Sequence, residues 1–147
     1  MEENRKDVVI SIKSLHGYDL EDTEEMDFIT DGEYIFGEDC CELRYNESEV
    51  TGMPGTKTVW SVYSDGIVVD RSGEIWSHMN FKEGLRDAFL YSTPYGTAQL
   101  GIDTRKINKQ LSSSGGKIEI DYVVNMEHLI AMRNKFIVDI KEQGTKQ

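Results

Sequence analysis

Two prolines and two cysteines in 147 residues leave little to break a strand or staple a loop. The cysteines, Cys40 and Cys41, are adjacent. On a strand they point to opposite faces, so an ordinary bridge between them is geometrically poor. Reduced thiols in a cytoplasmic protein are the expectation. No run approaches the ~20 apolar residues of a membrane span, and none follows the charged start long enough for a signal peptide. Bases are also scarce: 16 Lys and Arg stand against 27 Asp and Glu, a net charge of −11. That balance lacks the basic footprint phosphate backbones require, so neither nucleic acid nor an anionic membrane is an expected partner. The serine elbow, the CxxC pair and the dinucleotide fingerprint are all missing. The three histidines, His16, His78 and His128, lack the short spacings of a metal site. No catalytic residue, metal or cofactor is expected.

What the chain has in quantity is β-formers. Ile and Val total 23 against 11 Leu and Ala, with 9 Thr and 7 Tyr. Such side chains fit a pleated sheet, so the chain reads as all-β. Its length suits one domain, 1–147, with a core of about 7–142. Val8, Ile10 and Ile12 alternate with polar neighbours, as do Met26, Phe28 and Thr30, then Cys41, Leu43 and Tyr45. A strand at 56–64 is expected to turn through Asp65-Gly66 into 67–71, since Asp-Gly between apolar runs is a strong hairpin signal. Further strands are expected at 74–81, 88–93, 95–105 and 117–126, after a loop at 112–116. Phe136, Val138 and Ile140 mark the last one, and 126–134 reads as a hairpin bend. Turns every eight to twelve residues indicate a meander of about eight to ten strands, and closing it into a barrel removes its edges.

Three stretches imitate active motifs. Gly52-Met53-Pro54-Gly55-Thr56-Lys57-Thr58 resembles the tail of a phosphate loop, but its glycines are too close and a strand follows instead of a helix. Ser114-Gly115-Gly116-Lys117 fits Ser-x-x-Lys, yet lies in a loop where the motif needs a helix. The acids of 19–25 lack the mid-loop glycine of a calcium hand and read as a solvated loop.

A set of strings occurs in a telling order. It comprises Asp31-Gly32-Glu33-Tyr34, the 52–58 stretch, Arg71-Ser72-Gly73-Glu74, Met79-Asn80-Phe81, Tyr91-Ser92-Thr93-Pro94-Tyr95-Gly96 and Gly116-Lys117-Ile118-Glu119-Ile120-Asp121-Tyr122. From about Val8 to Ile140 this order resembles the YwiB-like family of small bacterial proteins of unknown function. Trp60, Trp76, Cys40-Cys41 and 126–134 depart from the pattern. The resemblance implies an antiparallel up-and-down, calycin-like (lipocalin-related) β-barrel, a bacterial cytoplasmic setting and no established activity. Relatives of that fold often hold small apolar ligands at the barrel mouth. A barrel of about eight strands is either filled by side chains or holds one small ligand. The inward candidates, among them Trp60, Met79, Phe81 and Tyr122, are bulky; they favour a filled middle, with room for a cup at one end. Arg71, Tyr91, Thr93, Tyr95 and Trp60 are the candidate ligand-binding residues, an Arg beside Tyr hydroxyls being suited to an acidic or carbonyl group. The structural alternative pairs Arg71 with a carboxylate and leaves 93–96 as a corner. A non-catalytic barrel binding a small, partly apolar or amphipathic ligand is therefore the first expectation. The second is a filled barrel that meets a basic protein partner through its acidic first third, residues 19–49. Residues 1–50 hold 16 acids and 4 bases, a net of −12.

Overall fold

The computed structural model describes residues 5–17, 23–125 and 131–143. Ten strands run through them: Arg5–Gly17 (β1), Thr23–Phe36 (β2), Cys40–Asn46 (β3), Thr56–Tyr63 (β4), Gly66–Gly73 (β5), Trp76–Phe81 (β6), Arg86–Thr93 (β7), Gly96–Ser112 (β8), Gly115–Asn125 (β9) and Ala131–Glu142 (β10). Each pairs antiparallel with the next, and β10 returns to β1, closing an all-β meander into a barrel. Closure pairs most of the strand edges, which would otherwise template aggregation. The alternation read from the sequence decides which side chains enter. Val8, Ile10, Leu43, Trp60, Val69, Phe81, Ile118, Ile120 and Val138 are all buried.

Several boundaries differ from expectation for identifiable reasons. Tyr63 pairs with Gly66, so Ser64 and Asp65 make the β4–β5 turn, not Asp65-Gly66. Gly66 answers to packing: a Cβ there would sit 2.8 Å from the Phe81 carbonyl oxygen on β6. Strand β8 does not stop at Arg105 but runs to Ser112, and a register shift between Thr104 and Lys106 lets it continue. A bulge of this kind keeps a long strand bent around the barrel. The 112–116 loop shrinks accordingly, since Ser112 pairs with Gly115. Of the expected 126–134 bend, residues 126–130 lie outside the described set, and Ala131 pairs with Asn125.

Ladder length is uneven. Strands β1 and β2 pair over thirteen residues, whereas β6 and β7 pair only at Trp76–Ser92 and Ser77–Tyr91. The connection after β6 is instead bonded to β8, with Gly84 N donating to Thr104 O and Thr104 N to Leu85 O.

Candidate ligand-binding site

The inner face is organised in rows of paired residues. Phe36, Cys41, Val62, Ile67 and Phe81 are successive partners across β2 to β6. Tyr34, Leu43, Trp60, Val69 and Met79 form the next row. One step further, Tyr45, Thr58, Arg71, Ser77 and Tyr91 cross β3 to β7. Four of these five are buried and Tyr91 is half-buried. The interior thus changes from apolar to polar within one pleat, toward the end where β3–β4, β5–β6 and β7–β8 connect.

The middle is filled. Trp60 meets Phe136 edge-on with ring centres 5.5 Å apart, Phe136 stacks on Tyr122 at 5.6 Å, and Tyr122 meets Phe81 at 4.9 Å. This aromatic chain spans the barrel from β4 through β10 and β9 to β6. With Trp60, Met79 and Phe81 all buried, side chains occupy mid-barrel. At the β2–β3 end Phe36, Cys41, Val62 and Leu111 line a cleft of about 290 Å³; the other candidate for a ligand is the polar end.

There the charged pair is Arg71 and Glu47, the two buried charged side chains among the described residues. Glu47 lies one step past β3, where the inward alternation of Cys41, Leu43 and Tyr45 reaches it, and its N–H donates to Thr56 O at 2.8 Å. The loop beyond is held by a capped 3-10 turn, Glu49–Thr51, in which Ser48 Oγ accepts from Val50 N. Gly52, in the left-handed region at φ 78°, ends that turn, so the stretch resembling a phosphate loop serves as the entry to β4. Thr58 Oγ1 donates to Glu47 Oε2 at 2.5 Å. Arg71 Nε stands 3.7 Å from the same oxygen, beyond hydrogen-bond reach, and Nη1 meets only the Met79 sulfur at 3.6 Å. Arg71 Nε, Ser77 Oγ and Thr104 Oγ1 are buried without hydrogen-bond partners. Native proteins rarely leave such atoms unpaired, since each costs about 1–3 kcal/mol, and a water, an ion or a bound group supplies the missing partner.

Tyrosines close the cluster. Trp60 Nε1 donates to the Tyr45 hydroxyl at 3.2 Å. Burial, then the Glu47 charge, pushes the Tyr45 hydroxyl well above its ordinary pKa, with Arg71 pulling the other way. Burial raises Tyr122 similarly, again opposed by Arg71.

Of the five residues expected from sequence, the structure brings Arg71, Trp60 and Tyr91 to neighbouring inner positions. Thr93 ends β7 and Tyr95 lies in the β7–β8 hairpin turn. Thr93 Oγ1 donates to Gly96 O and accepts from Tyr95 N, and the Tyr95 side chain is 98% exposed. Sequence reasoning missed Glu47, Thr58, Ser77 and Thr104. Their signal is polarity at an inward position of the alternation, as with Ser77 between Ile75 and Met79.

The comparisons with known proteins follow this architecture. Residues 10–137 match the family described as Domain of unknown function (DUF1934). The chain belongs to that family. The Uncharacterized beta-barrel protein YwiB of Bacillus subtilis (strain 168) is 28% identical over 110 residues, covering 72% of this chain and 76% of the relative. The crystal structure of the ywiB protein from Bacillus subtilis superposes with a TM-score of 0.84 at 21% identity, over 95% of this chain and 94% of that one. Family and fold are shared; the family has no assigned activity. Among the described residues no helix is long and apolar enough to cross a membrane.

Proposed function

We propose that this protein is a non-catalytic, cytoplasmic, calycin-like barrel that binds one small, partly apolar ligand at the polar end of its interior. One observation carries the reading: Arg71 Nε and Ser77 Oγ, on paired residues of β5 and β6, are buried with no partner. A bound group between them supplies what the chain does not. Tyr91 pairs with Ser77 on the next strand and completes the wall, while Trp60 and Met79 offer an apolar floor. The two free thiols suit a reducing compartment. Native mass spectrometry of protein purified from its own host tests the reading. A co-purifying small mass in the wild type, absent from Ser77→Val, is expected; a bare wild-type mass under gentle ionisation refutes it.

A second reading rests on the outer face of β2. Ile29 is 70% exposed between Asp27 and Asp31 there, an apolar residue framed by acids that suits a basic protein partner. Pull-downs with Asp27→Asn, Asp31→Asn and Ile29→Ser combined should then lose proteins that the wild type retains; an unchanged set rejects it.

A further inference from the structure

We propose that the group received by Arg71 is an uncharged oxygen acceptor, such as an amide or ketone carbonyl, and not a carboxylate or phosphate. This rests on the ligand-site reading above. Two needs of a buried guanidinium are separable here. Its charge is already countered, because Glu47 lies 3.7 Å away with its side chain only 2% exposed. Its hydrogen bonds are not complete. A guanidinium carries five N–H donors in a fixed fork, yet Nε has no acceptor and Nη1 has only a thioether sulfur, which accepts weakly. A ligand must therefore bring an acceptor without bringing a charge.

An anion fares worse for a definite reason. Arg71 and Glu47 are the two buried charged side chains among the described residues. A carboxylate placed against Arg71 makes the buried set net negative, with no second cation to offset its desolvation. A carbonyl dipole takes the same N–H without that cost. Ser77 Oγ adjoins Arg71 in register and is also unpartnered. It can donate to the same oxygen or accept from an amide N–H beside it. Ile75, in the bend before β6, and Met79 on β6 lie two residues either side of Ser77 and are buried, so the rest of the ligand lies on apolar surface.

Hexanamide and hexanoate have the same size and apolar tail and differ in head-group charge, so they make a matched pair of probes. Each is titrated into labelled wild-type protein near pH 7 while the backbone amides of Arg71, Ser77 and Tyr91 are followed by NMR. Hexanamide is expected to shift them, with hexanoate at least about tenfold weaker. Glu47→Gln removes the countercharge and is expected to reverse that order. Tighter hexanoate binding by the wild type, or an unchanged order in folded Glu47→Gln, overturns the inference while leaving a ligand site in place. If Glu47→Gln loses its native amide dispersion, the wild-type order alone decides. Failure of both probes to move these amides in the wild type refutes the ligand-site reading itself.

Discussion

Toward the β2–β3 end, the inner rows read Phe36, Cys41, Val62, Ile67, Phe81 and then Tyr34, Leu43, Trp60, Val69, Met79; at the opposite end the row reads Tyr45, Thr58, Arg71, Ser77, Tyr91. The two sets share strands β3 to β6 and the same alternation, so secondary structure does not account for the difference. At the apolar end the one hydroxyl of these rows is satisfied, Tyr34 donating to Ser112 O at 2.7 Å. At the polar end an arginine and a serine are buried with open valences. A core selected for stability alone fills such positions with Val or Ile, as the other end does. Retaining polar groups that cost stability is the pattern of a site under a second constraint.

Four perturbations probe the two ends, beginning with the largest expected effect. Trp60→Ala removes the indole from the aromatic chain and from its bond to Tyr45. It should cost about 4 kcal/mol of unfolding free energy, measured by urea denaturation. Glu47→Leu leaves Arg71 buried without its countercharge and should cost about 3 kcal/mol. Adding Arg71→Met to it should bring stability back to within about 1 kcal/mol of wild type, because a removed pair is tolerated where a broken one is not. If the double variant stays as unstable as the single one, charge is not what sets the polar end apart.

Alkali should act on both ends. Burial raises the hydroxyl pKa of Tyr34, Tyr45 and Tyr122 in the folded protein. A raised pKa means that the folded state keeps protons which the unfolded state releases. Stability from these groups is therefore full below about pH 10, the ordinary tyrosine value, and falls as pH rises above it. Phenolate absorbance beyond that of the exposed tyrosines should appear together with loss of the folded circular dichroism signal; ionisation of these three without unfolding contradicts their burial. The smallest effect is the most diagnostic. Ser77→Ala deletes a buried hydroxyl without a partner, so stability should stay level or rise by about 0.5 kcal/mol while ligand retention falls. A clear destabilisation would show that Ser77 holds the fold.

Most of the barrel was legible because period-two alternation is a local signal that closure merely reuses. Phe28, Tyr34 and Phe81 face inward for the same reason that their neighbours face out. The turn at Asp65-Gly66 misled because Gly66 is set by the approach of the β6 backbone at Phe81, fifteen residues away in the chain. Strand β8 outran its expected end because a bulge absorbs what looks from sequence like a break. At the site, Arg71 and Trp60 stood out by residue type. Glu47 did not, since its inward position depends on β3 alternation continuing past the last strand residue, Asn46, into the capped loop. Thr93 and Tyr95 drew attention as hydroxyls beside a proline. Their hairpin uses the threonine to close its own turn.

A high-resolution crystal structure of the protein as purified from its host addresses the central claim most directly. The account predicts density for a bound molecule within hydrogen-bond distance of Arg71 Nε and Ser77 Oγ. Water alone at that position, or Arg71 Nε donating straight to Glu47 with Ser77 Oγ bonded to the backbone, contradicts it.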